Sequence, residues 1–118
     1  MPAGLRILGF NKRAENAAVI EERLRAAGYE AHNVALTDDA AGDATVVAEL
    51  QAAEYDAVAI GAFINGQHPE LAATDQTTFW FNRVLNLVGE HAPQAKIILI
   101  RKPSDAVATV ERILSAAP

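Results

Sequence analysis

"LRILGFNKRAEN", residues 5–16, holds the junction on which the fold turns. Its first part, Leu5 to Phe10, is a short apolar run of strand length. Beyond it Ala17, Ile20, Leu24 and Ala27 recur at helical spacing, and Gly28 supplies a stop. A buried strand that feeds directly into a one-faced helix opens a βα unit. The same alternation then repeats along the chain.

Glu30 to Leu36 reads as a second, more polar strand, followed by a loop over 37–42. Asp43 is placed to cap a helix carrying Val46, Val47, Leu50 and Ala53 on one face. Asp56 to Phe63 is a third strand, and Asn65-Gly66 marks a turn. The stretch from His68 to Thr78 is ambiguous. Pro69 suits the first position of a helical turn, whereas Asp75, Thr77 and Thr78 are poor helix formers. A firmer helix over 76–91 presents Trp80, Val84, Leu87 and Val88. Lys96 to Arg101 is a fourth strand. Ser104 or Asp105 caps a last helix with Val107, Val110, Ile113 and Leu114 facing inward.

The order βαβαβαβα implies an α/β fold, a three-layer α/β/α sandwich around a four-stranded parallel sheet. Right-handed crossovers leave two arrangements of the strands, 2-1-3-4 and 3-2-1-4, and the first is favoured. The uninterrupted apolar runs at 57–60 and 97–100 suit strands covered on both faces. Residues 1–118 read as one domain, long enough to bury a core.

Composition removes several functions. A net charge of -5 argues against a broad nucleic-acid surface. The chain has no cysteine, so disulfides, thiolate metal sites and cysteine nucleophiles are absent, as suits a reducing compartment. No run approaches the roughly 20 apolar residues of a membrane helix. Met1 to Gly4 leads straight into the first strand, without the basic and apolar regions of a signal peptide. The expectation is a cytoplasmic protein with no membrane partner.

In open α/β sheets ligands bind beyond the carboxyl ends of the strands, at the switch in strand order. In the order 2-1-3-4 that point lies between strands 1 and 3. Four of the ten Lys and Arg residues gather at this edge: Lys12, Arg13, Arg101 and Lys102. With Asn11 as helix cap, Lys12 and Arg13 occupy the first turn and oppose the helix dipole, at roughly 0.3–1 kcal/mol each. A bound anion would reverse that sign and use the free N–H groups. The alternative is that both cations are solvated, with Glu15 close by to offset them. The expected ligand set is Asn11, Lys12, Arg13, Asn65, Gln67, Arg101, Lys102 and Ser104, around a small phosphate- or carboxylate-bearing molecule.

The layout resembles flavodoxin-like domains, response-regulator receivers among them, along the whole chain. The resemblance implies the fold, and the functional motifs of those families are missing. Asn11-Lys12-Arg13 stands where a receiver has acids, and Gly61-Ala62-Phe63 where it has its phosphoacceptor Asp. The hydroxyl-rich loop that holds FMN in flavodoxins is absent, as is the cysteine of the sugar-transport IIB phosphocarriers. Gly9-Phe10-Asn11-Lys12-Arg13-Ala14 lacks the middle glycine of a dinucleotide loop, although Asp38 and Asp39 lie where a ribose-binding acid would be. No cofactor is expected.

His32, His68 and His91 do not pair at metal-ligand spacing, so no metal is expected. His68 is the one weak catalytic candidate, a general acid or base at the crevice, or else a loop residue capping the turn before Pro69. Ser104 lacks a nucleophile elbow and reads as a helix cap. Enzyme activity is left open, leaning against it. Phe79-Trp80-Phe81 cannot all face one core, because helical neighbours are ~100° apart. Strand 4 is an edge in either topology and carries Ile97-Ile98-Leu99-Ile100 with no charge to blunt it. A homodimer through strand 96–101 and helix 76–91 is expected to cover both. The alternative to ligand binding is a non-catalytic interaction or regulatory module with a receiver-like body.

Overall fold

The computed structural model describes residues 4–115. The expectations for Met1 to Ala3 and for residues 116–118 lie outside them. The elements run β1 (Arg6–Asn11), α1 (Ala14–Ala26), β2 (Glu30–Ala35), α2 (Ala40–Ala52), β3 (Ala57–Ile60), α3 (Ala62–Asn65), α4 (Asp75–His91), β4 (Lys96–Leu99) and α5 (Ala106–Ser115). A 3-10 turn, Pro103–Asp105, precedes α5. The sheet is parallel throughout, in the order β2-β1-β3-β4. The order 3-2-1-4 is thereby excluded.

Strand alternation divides the interior into two cores. Leu8 and Phe10 of β1 with Val58 and Ile60 of β3 meet α2 and α4 through Val46, Leu50, Trp80, Val84 and Val88. Ile7, Ala57, Ala59, Ile98 and Ile100 point the other way, to Ile20 and Leu24 of α1 and Val110 of α5. Both faces of the central strands are covered, which is why their sequences are uniformly apolar rather than alternating. On β1, Gly9 is the exception, because the Asn33 amide of β2 lies across it and a Cβ there would collide with that amide.

The expected strands shift by a residue or two at their ends, β4 stopping at Leu99 rather than Arg101, and four other boundaries move for a clear local reason. α2 begins three residues before Asp43, since Asp39 accepts from the Gly42 N–H at 2.8 Å and is the cap. β3 stops at Ile60 because Gly61 turns the chain, its carbonyl accepting from the N–H groups of Ile64 and Asn65 to form the single turn α3. α4 starts at Asp75 despite its weak first turn, because Thr74 and Thr77 form a reciprocal capping box. Neither Ser104 nor Asp105 stands immediately before a regular helix; both lie in the 3-10 turn. Ile113, expected inward, is 37% exposed.

Phe79, Trp80 and Phe81 separate as helical geometry requires. Trp80 is buried, Phe81 packs on the edge of the core, and Phe79 is 69% exposed. Arg83, two turns into α4, donates to Asp43 of α2 at 3.1 Å and to Asp38 in the β2–α2 loop at 2.6 Å. Those two carboxylates raise its pKa further above the usual guanidinium range.

Candidate functional site

The crevice at the strand carboxyl ends is a small cleft of about 50 Å³ between the β1–α1 junction, the α3 region and the loop after β4. Asn11, Lys12 and Asn16 come from the first of these, Ala62 and Phe63 from α3 with His68 from the loop beyond it, and Arg101, Lys102 and Pro103 from the third. Ile20 and Ile100 form apolar wall. The lining contains three cationic side chains and no carboxylate.

Asn11 differs from the role expected of it. It is not the cap of α1 but the last residue of β1, where its carbonyl accepts from the Leu36 N–H at 2.7 Å and prolongs the β1–β2 ladder. That leaves Arg13 in the cap position, extended and without a side-chain hydrogen bond to the helix. The first N–H groups of α1 therefore have no side-chain acceptor, an unusual state for a helix of 13 residues. Asn11 is 4% exposed as a residue, and its side chain lines the cleft with no hydrogen bond to a described residue. Gly61 makes room for it: a Cβ at that position would lie 2.6 Å from Asn11 Oδ1.

The remaining candidates divide. Lys12, Arg101 and Lys102 are exposed at the rim of the cleft. Arg13 lies outside it, with its guanidinium 4.8 Å from the centre of the Phe63 ring and 3.9 Å from Glu15. Gln67 and Ser104 are exposed and do not line the cleft. Asn65 is buried and engaged: its Nδ2 donates to the carbonyls of Ile60 at 2.6 Å and Ile100 at 3.1 Å, and its Oδ1 accepts from the Gln67 N–H at 2.7 Å. It ties the ends of β3 and β4 to the loop beyond α3 and has no donor left for a ligand. Asn16, not among the expected ligands, joins the lining from the first turn of α1. A polar residue three positions into an uncapped helix was the available signal.

His68 does line the cleft, its ring tilted 37° against that of Phe63 with centres 4.9 Å apart. Its Nδ1 accepts from the Glu70 N–H at 3.1 Å, so the turn around Pro69 uses one of its two nitrogens. No carboxylate in the cleft lining is placed to orient it. Asp38 and Asp39 are committed elsewhere, the first to Arg83 and the second to capping α2. Among the described residues no three His, Cys, Asp or Glu side chains gather as a metal site would need. None of the described helices is long and apolar enough to cross a membrane.

No family model matches the chain, and no curated protein does. Among solved structures it is similar to a fusion carrying a yeast Spc42 trimeric coiled-coil segment, at 12% identity and a TM-score of 0.49, over 93% of this chain and 78% of that one. It is also similar to a de novo designed Rossmann 2x3 fold protein solved by NMR, at 10% identity and a TM-score of 0.46, over 93% of this chain and 89% of that one. The α/β architecture rests on the parallel sheet and its order, 2-1-3-4, and not on these likenesses.

Proposed function

We propose that this small α/β domain binds a small anion in the cleft at the ends of β1 and β3. The observation that carries the reading is a cleft whose charged lining is entirely cationic, beside a helix start without a side-chain cap and with the Asn11 amide in its wall. A ligand oxygen in the cleft would accept from Asn11 and from the free N–H groups that open α1. Lys12, Arg101 and Lys102 would hold its charge from the rim. The cleft's small size favours a phosphate, sulfate or short carboxylate over a dinucleotide.

The test is thermal denaturation with inorganic phosphate, sulfate and acetate. A ligand that binds only the folded chain raises its stability by RT ln(1 + [L]/Kd). The melting temperature is expected to rise with millimolar anion in the parent chain. It should not rise in Asn11→Leu, which keeps the side-chain volume, or in a Lys12→Ala/Arg101→Ala double variant. No shift with any of the three anions in the parent chain removes the proposal. The alternative, an interaction module, is supported by the state of the β4 edge.

A further inference from the structure

The two edges of the sheet are treated differently. At the β2 edge, α1 reaches over to close it. Arg25 Nε donates to the Ala31 carbonyl at 2.9 Å, and Glu21 accepts from the Asn33 N–H at 2.9 Å. Both groups point away from β1, since Glu30 is the residue bonded to it. A strand approaching β2 would have to displace a carboxylate and a guanidinium. This is a charged guard of the kind that keeps edges from pairing.

The β4 edge has no such guard. Lys96 and Ile100 donate inward, to the carbonyls of Asp56 and Ile60. Alternation along a parallel strand then turns the N–H and C=O of Ile97 and Leu99 outward. No side chain of the described residues bonds them. Their side chains lie on the face opposite Ile98 and Ile100, and they stay 40% and 37% exposed. Phe81 and Leu85 are half-buried against the core on the same side of the sheet. Phe79 is about 200° from Phe81 around α4 and borders Asp43 and Arg83 near α2. It belongs to a different surface from β4.

We infer that β4 pairs antiparallel with β4 of a second copy of this chain, about a twofold axis at Ile98, to give one continuous eight-stranded sheet. The register selects itself. Centred on Ile98, Ile97 faces Leu99 of the other copy and Leu99 faces its Ile97, so every outward group of the strand is bonded. Lys96 then faces Ile100, Arg101 faces Ala95, and Lys102 faces Gln94, so each cation meets an uncharged residue. Centred on Leu99, Lys96 would face Lys102, a like-charge pair that destabilises a sheet. Centred on Ile97, the second bonded pair would need the Ala95 N–H, which already donates to the Ala92 carbonyl at 3.0 Å. A closed twofold pairing uses the edge once and leaves no further edge of this kind.

Light scattering and sedimentation decide the matter. The chain of 12.6 kDa is expected to run at twice that mass. Ile97→Pro removes only an outward N–H, and Leu99→Lys places a charge on the exposed face; each should yield a folded monomer by circular dichroism. Phe79→Lys should remain a dimer. The absence of cysteine makes a register test clean. Facing residues of a bonded antiparallel pair have Cα atoms about 5.5 Å apart, within disulfide reach. A mixture of Ile97→Cys and Leu99→Cys chains should therefore form the mixed disulfide, with neither chain alone forming its own. A monomeric parent chain overturns the inference. So does a dimer that persists in both edge variants, or an absence of the mixed disulfide.

Discussion

Asn65 and Asn11 show how much a single side chain's surroundings decide. Both are amides at strand ends on the same rim, and both are buried. Asn65 spends every one of its roles on the backbone, holding Ile60, Ile100 and Gln67. Replacing it with alanine leaves the Ile100 carbonyl and the Gln67 N–H without this partner, while the Ile60 carbonyl keeps the Ile100 N–H. The expected loss is about 1–3 kcal/mol, measurable by urea denaturation. Asn65→Asp should cost at least as much, because a carboxylate would face two carbonyl oxygens with nothing to donate. Asn11 spends none of its roles within the described residues, and its alanine variant should perturb stability less while abolishing any response to anions. Residue type alone does not separate the two.

At the level of elements, the β2–α2 connection is the best-defined junction. Thr37 Oγ1 donates to Asp39 at 2.6 Å, Asp39 accepts from Gly42, and Gly42 has no Cβ because the Thr37 carbonyl occupies that space. The Thr37 hydroxyl first, and the Gly42 N–H second, hold the Asp39 carboxyl below its usual pKa. The sign follows from that direction. Unfolded, Asp39 titrates near about 3.9, and folded it titrates lower. Its contribution is therefore complete above the unfolded value and fades as pH falls through the folded one. Asp39→Ala should lower the melting temperature at neutral pH, and the gap from the parent chain should narrow in acid. An unchanged gap down to about pH 2 would mean the cap is not ionised in its working state. Gly42→Ala should be the more damaging change, since it drives a methyl group into backbone.

For the whole molecule, the sheet has one guarded edge and one open edge, and a cleft at the switch point between β1 and β3. Pairing of the open edge and binding in the cleft are separable. A dimer that dissociates on unfolding makes stability depend on protein concentration. The melting temperature of the parent chain should therefore rise with concentration, and that of Ile97→Pro should not. Anions should stabilise both, because the cleft lining comes from one copy. A melting temperature independent of concentration would count against the dimer and leave the cleft untouched.

Much of this was determined by the sequence. Periodicity carried the element order, the parallel sheet and the residues of both cores, because burial on one helix face or on both strand faces writes itself into the spacing of apolar residues. The location of the cleft followed from strand order and the position of Asn11-Lys12. What only the tertiary structure decided was the partner of each polar group. Asp39 rather than Asp43 caps α2, Asp38 meets Arg83 from 45 positions away, and Asn65 becomes a brace. The sequence could not show that α1 guards β2 while no side chain of the described residues guards β4. Hydrogen bonds are short and directional, so they depend on which loops meet in space. Apolar burial is neither, and a linear pattern is enough to encode it.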